Sequence, residues 1–235
     1  MNNYNKHKIE SSNKERTKEK RKGLKVNKEL LQEVMAVAKR LDEKNLVNTF
    51  EGNISTKRDG LIYITPTTKN KALLTEDMIA IVDEDGNQVG GNSKPTSELP
   101  MHMATYKLRD NIGGVVHCHP TFMTAYAICN IPITTKAYPE MMGNFDTFEI
   151  VPYGRPGTEE ILKGADKLFE HSDIVLLGNH GVLAVGPTVT DAMNKVEAAE
   201  AITKTLFFAN MLGKQVDLSA EEIEHFSKIW SAKWK

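Results

Sequence analysis

Strand-like and helix-like segments alternate along this chain from Asn27 onward, and that alternation limits the fold more than any other feature of the sequence. Asn27 caps a helix running to about Lys44, with Leu30, Leu31, Val34, Met35, Val37, Ala38 and Leu41 at helical spacing. Glu51 to Ser55 reads as a strand interrupted by Gly52, and Leu61–Ile64 and Met78–Val82 as two more. The turn Asp83-Glu84-Asp85-Gly86-Asn87 is of the kind that joins antiparallel neighbours, so the sheet is at least partly antiparallel. Further on, Glu98–Leu108 reads as a helix, Val115–His119 as a strand, Thr121–Cys129 as a helix and Phe148–Pro152 as a strand. A helix capped by Thr158 and running to about Glu170, strands at Ile174–Leu177 and Val182–Val185, and a long helix from Thr188 to about Met211 follow. Ser219 to Glu222 opens a last helix with a capping-box pattern. No glycine-rich phosphate loop follows the first strand, which argues against a dinucleotide-binding domain.

At 235 residues, of which 40% are hydrophobic, one domain with one sizeable core is the default. Residues 1–24 differ from the rest: they are rich in Lys and Arg and poor in apolar side chains, and read as a basic, flexible tail. The formal net charge of −1 supplies no global field for nucleic acid, and no apolar run approaches the roughly 20 residues of a membrane span. Cys118 and Cys129 make no secreted disulfide framework, and no apolar leader follows the N-terminus. The expectation is a cytoplasmic protein that binds neither nucleic acid nor membrane.

Chemistry concentrates at a few places. His117-Cys118-His119 ends an apolar strand, where residues i and i+2 share a face, so two imidazoles can grip one metal ion while Cys118 points into the core behind them. His180 lies in the tight connection Gly178-Asn179-His180-Gly181 between two apolar strands, where it can complete a three-histidine set with an open coordination position. The competing readings are ordinary strand histidines and a turn residue bonded to backbone. Glu98 and His102, spaced i,i+4, share a helix face, where a plain hydrogen bond between them is the simpler role. Before them, Lys94-Pro95-Thr96-Ser97 brings two hydroxyls into a helix start, suited either to capping or to an anion such as phosphate. Gly52-Asn53-Ile54-Ser55 and Thr65-Pro66-Thr67-Thr68 are small polar turns of the same character.

Together with Tyr153-Gly154-Arg155-Pro156-Gly157-Thr158, and in this order, these motifs resemble the class II aldolase/adducin family over residues 25–235. The resemblance implies an α/β fold, a three-layer α/β/α sandwich around a mostly antiparallel central sheet, assembled as a homotetramer with active sites at subunit interfaces. It implies His117, His119 and His180 as ligands of one zinc ion per subunit. Glu98 becomes the catalytic acid/base and a resting-state fourth ligand, and Gly52, Asn53, Thr67, Thr68, Thr96 and Ser97 the phosphate-binding cradle. A phosphorylated sugar is then the substrate. The expected reaction is reversible cleavage of a small ketose 1-phosphate, of the L-fuculose-1-phosphate type, into dihydroxyacetone phosphate and an aldehyde through an enediolate.

Within the resemblance, adducin-like interaction modules lose the metal ligands, which are all present here. Ribulose-phosphate epimerases of the family typically carry Asp at the position of Glu98 and a catalytic tyrosine near the C-terminus, whereas this chain has no tyrosine after Tyr153. Both points favour an aldolase. Aldolases of the family also take a proton donor from the next subunit, for which Tyr138 is the candidate, with Lys136 and Glu140 as rivals. Thr68 stands where glycine is usual, and its Cβ resists the positive φ of such a turn.

Overall fold

The computed structural model describes residues 25–235; the basic segment 1–24 lies outside them. Its centre is an eight-stranded sheet. In chain order the strands are β1 (Asn53–Arg58), β2 (Leu61–Ile64), β3 (Ala80–Asp83), β4 (Gln88–Gly90), β5 (Gly114–Cys118), β8 (Ile150–Val151), β9 (Ile174–Leu177) and β10 (Gly181–Gly186), and across the sheet they run β4-β3-β2-β1-β5-β10-β9-β8. Every pairing is antiparallel except β8 with β9. The remaining strands, β6 (Ile133–Thr134) and β7 (Thr147–Phe148), form a separate antiparallel pair.

Alternation along the central strands sends side chains into two cores, one on each face. Ile54, Val116, Cys118, Val182, Ala184 and Leu176 join one core with Leu30, Val34 and Leu41 of α1 (Lys28–Glu43), Met123 of α3 (Thr121–Cys129) and Ala192, Val196 and Ala199 of α6 (Val189–Leu212). Val115, Leu183, Val185, Val175 and Leu177 face the other way, onto Met101 of α2 (Leu99–Thr105) and Ala165 and Phe169 of α5 (Ala165–Phe169). The result is the three-layer sandwich expected from the sequence. Each fully buried aliphatic residue of these cores contributes about 1.5–3 kcal/mol. Two further helices, α4 (Pro139–Asn144) and α7 (Ala220–Ser231), pack on each other, with Met141 of α4 buried in the first core.

Several boundaries differ from the sequence reading. The segment after Thr158 is a 3-10 turn, Glu159–Leu162, then the short α5; Gly164 at φ +87° breaks the expected single helix. Phe148 and Ile150 belong to different sheets, although they lie in one apolar run. Helix α2 starts only at Leu99, with Glu98 as its N-cap, and Met78 lies in a 3-10 turn before β3. His119 falls just beyond the end of β5. No helix of the described residues is long and apolar enough to cross a membrane.

Candidate active site

Strand β5 delivers His117 from the middle of the sheet, fully buried, with its Nδ1 donating to Val182 O of β10 at 2.8 Å. That bond fixes the tautomer and leaves Nε2 as the free lone pair. His119 follows as the chain leaves the sheet, its backbone N–H donating to Leu46 O. The next helix, α3, begins after Pro120 without a capping side chain of its own; Glu200 of α6 caps it instead, accepting from Phe122 and Met123 N at 2.9 Å each. Cys118 points to the opposite core and is buried there, as the strand alternation requires.

His180 arrives from the β9–β10 turn. Asn179 adopts φ +56°, and its amide nitrogen bonds Ile128 O while Asn130 bonds its carbonyl. Gly181 is required for close approach, since a Cβ there would lie 2.5 Å from the His119 ring. The three imidazoles therefore form a near-equilateral triangle, with centroids 4.9, 4.6 and 5.0 Å apart. One nitrogen from each lies within 4.8 Å of the others.

Glu98 faces this triangle. Its Oε2 lies 3.4 Å from His117 Nε2 and its Oε1 3.6 Å from His180 Nε2. Oε1 is buried without a hydrogen bond, while Oε2 accepts from Asn53 Nδ2 at 2.6 Å. Burial pushes the Glu98 carboxyl upward, opposed by the Asn53 hydrogen bond and by His119. The histidines move the other way: burial and the neighbouring rings hold His117 well below the usual imidazole range, and burial brings His180 down to about 4. Three imidazoles with converging ring nitrogens beside an orphaned carboxylate oxygen are the donor set of a divalent cation, so the residues fit the metal site read from the sequence.

The orientation of Asn53 is set from behind. His102 lies fully buried and bonds Asn53 Oδ1 through Nε2 at 2.5 Å, and its Nδ1 lies 2.7 Å from Ser55 Oγ, which in turn lies 2.7 Å from Tyr106 OH. Only one direction satisfies every atom: Tyr106 donates to Ser55, Ser55 to His102 Nδ1, His102 Nε2–H to Asn53, and the Asn53 amide to Glu98. Burial holds His102 neutral, its pKa down to about 3. The side chains of Glu98 and His102 do not bond each other as the i,i+4 spacing suggested; only the backbone His102 N–H donates to Glu98 O. As the N-cap, Glu98 is non-helical (φ −92°, ψ 13°), and its carboxylate turns to the triangle.

A cavity of about 270 Å³ opens beside Glu98, His119 and His180, and Gly52, Asn53, Thr67, Thr68, Thr96 and Ser97 all line it. The Thr65–Thr68 and Lys94–Ser97 turns are held together by a Pro66–Pro95 bridge and by Thr96 N donating to Thr65 O. Thr68 does adopt positive φ, +51°, so the chain keeps the glycine-like turn and bears its strain. Thr96 also accepts from Glu98 N. Tyr138 is elsewhere: it is the N-cap of α4, half-buried against the core, and is not among the lining residues. Three lining residues were not read from the sequence: Phe50, Glu51, whose Oε1 lies 3.5 Å from His119 Nδ1, and Lys71. Pro156 and Gly157, singled out only as part of a motif, line it as well.

Residues 32–207 match the model of the class II aldolase and adducin N-terminal domain, and the chain belongs to that family. It is a metal-dependent class II aldolase of the L-fuculose-phosphate-aldolase-like kind. An L-fuculose phosphate aldolase of Methanococcus maripaludis is 32% identical over 182 residues, covering 77% of this chain and 98% of that protein. A solved L-fuculose 1-phosphate aldolase superposes with a TM-score of 0.79 at 30% identity, over 88% of this chain and 98% of the other. The 3-oxo-tetronate 4-phosphate decarboxylase of Haemophilus influenzae is 29% identical, over 75% of this chain and 87% of that protein.

Proposed function

We propose that this protein reversibly cleaves a small ketose 1-phosphate of the L-fuculose-1-phosphate type into dihydroxyacetone phosphate and an aldehyde, with one zinc ion per subunit held by His117, His119 and His180. The observation that carries the reading is the orphaned Glu98 Oε1, buried against three converging imidazoles at the end of a cavity lined by hydroxyls. Three imidazoles suit zinc with one position left open. When bound there, zinc supplies Lewis-acid polarisation of the substrate carbonyl.

The remaining work falls to the chain itself. Gly52, Thr67, Thr68, Thr96 and Ser97 hold the phosphate at a distance from the reacting carbons, so binding energy far from the chemistry sets their position. In the cleavage direction the C4 hydroxyl gives its proton to a basic group, for which Tyr138 of a second copy is the candidate, the C3–C4 bond breaks and its electron pair is left at the C3 side, where Glu98, holding a proton, gives it to that carbon. Burial favours the protonated form of Glu98, the direction that suits a carboxyl to that exchange. Asn53 keeps one Glu98 oxygen occupied and aims the other into the cavity. Tyr138, remote from this chain's own cavity, fits the role of proton donor to the aldehyde only when delivered by a second copy, as in a homotetramer with sites at subunit interfaces. The exposed Phe207, Phe208, Met211, Leu212 and Val216 supply apolar surface for such an assembly.

Incubating the zinc-loaded protein with L-fuculose, L-rhamnulose and deoxyribulose 1-phosphates tests the proposal. Release of dihydroxyacetone phosphate from one of them is the expected result, and release from none overturns it. A coupled xylulose-5-phosphate assay separates the aldolase from an epimerase. Absence of stoichiometric zinc in the purified protein, with folding unchanged on chelation, would favour an interaction module.

A further inference from the structure

Lys71 is the only lysine or arginine among the residues lining the cavity. It is 2% exposed, an unusual state for a lysine, because an ammonium leaves water only at high cost unless an opposite charge meets it. None does within the described residues. Nζ donates to one neutral acceptor, Lys69 O at 3.0 Å, and Asp42 near the end of α1 attracts it without forming an ion pair. An ammonium has three N–H donors, so two are left without an acceptor among the described residues.

The position of Lys71 is set by the loop that carries the cradle. It begins the 3-10 turn Lys71–Leu73, whose cap Asn70 accepts from Ala72 N at 2.8 Å, three residues after Thr68. The other polar groups of the cradle, from Gly52, Thr67, Thr68, Thr96 and Ser97, are neutral donors. A phosphate monoester brings a charge of about −1.5 to −2 near neutral pH, and neutral donors alone poorly offset it away from water.

We infer that Lys71 is the cation of the phosphate subsite, donating through Nζ to non-bridging oxygens of a phosphate monoester. This deepens, and rests on, the reading of the surrounding turns as a phosphate cradle. Charge that lacks a partner in the free protein acquires one on binding, which makes the residue a contributor to affinity at the expense of stability. Burial lowers the Lys71 pKa, and an arriving dianion opposes that shift.

The test compares the parent with Lys71→Met and Lys71→Arg, titrated with inorganic phosphate by calorimetry and by thermal melting. Running each with and without zinc separates anion held on the metal from anion held in the cradle. Lys71→Met, close in volume but uncharged, should bind phosphate about tenfold or more weakly, while its phosphate-free melting temperature rises by about 2–4 °C. Lys71→Arg should retain most of the binding. If the parent binds phosphate and Lys71→Met binds it equally, the assignment of Lys71 is wrong and the cradle stands. A Lys71→Met protein that melts lower and binds unchanged identifies a purely structural lysine and also overturns the assignment. If the metal-free parent binds no phosphate, the cradle reading and the inference fall together.

Discussion

Two carboxylates lie toward opposite ends of the central strands, and their surroundings differ in kind. Asp173, just before β9, is saturated: Arg109 bonds one oxygen and Lys195 the other at 2.8 Å, with Lys195 also donating to Val185 O. Glu98 has one neutral donor on one oxygen and nothing on the other. The larger cavity, about 650 Å³, lies at the Asp173 end, yet the smaller one beside Glu98 holds the groups left open for a ligand. Volume is therefore a poor guide here, and incomplete pairing a good one. A carboxylate whose partners all come from its own chain supports structure, whereas one that faces three imidazoles is poised for something that arrives from outside.

Substitutions can break this contrast. His180→Ala removes one corner of the triangle and should lose both zinc, by elemental analysis, and turnover, by about 10³-fold or more. Glu98→Gln should keep the metal and lose about 10²- to 10⁴-fold in kcat, and parental activity in that variant would remove its acid/base role. Next in size is His102→Leu. It frees the Asn53 amide to rotate and strands buried Oδ1 and Ser55 Oγ, at a stability cost of about 1–3 kcal/mol in denaturant melts, with kcat falling about tenfold while KM changes little. His102→Gln, which can still donate to Asn53, should recover part of that loss.

At the other end, Asp173→Asn should leave kcat within about twofold of the parent but destabilise the fold by about 1–2 kcal/mol. It strips two partly buried cations of their counter-charge, and their residual exposure limits the loss. The smallest effect concerns Glu197, which joins Arg40 of α1 and its C-cap Lys44 to α6. Its carboxyl is held below the usual range, first by the Lys44 hydrogen bond. Because the folded pKa is depressed, its stabilisation is present above the unfolded value of about 4.3 and is lost as pH falls through the folded one. The stability gap between the parent and Glu197→Gln, less than about 1 kcal/mol at pH 7, should therefore close under acid.

The chain order of elements was legible because burial on both faces of a sheet writes short apolar runs, and burial on one face of a helix writes a 3.6-residue period. The run Phe148-Glu149-Ile150-Val151 misled for the same reason: apolarity marks burial but not which sheet receives the strand, and Phe148 pairs with Ile133 while Ile150 pairs with Leu176. At the site, His117 and His119 could be read from strand alternation and His180 from its turn, each being a local consequence of backbone geometry. The chain from Tyr106 through Ser55 and His102 to Asn53 could not. It joins residues up to 51 positions apart, crossing between β1 and α2 with its cap, and nothing in the spacing of any one segment reports it. Lys71 was hidden for a related reason, since a lysine in a polar loop reads as solvated until the fold buries it.

The place of β5 in the sheet has a consequence for timing. This strand is hydrogen-bonded on both sides, to β1 and to β10, and covered on both faces. Its amide protons should exchange with solvent only through the rarest, global openings of the molecule, whereas those of the Thr65–Lys71 and Lys94–Glu98 loops should exchange through local fluctuations. His117 would then keep its aim for as long as the protein stays folded. The adjustments that admit and release a ligand would fall to the loops around it, on a much faster clock.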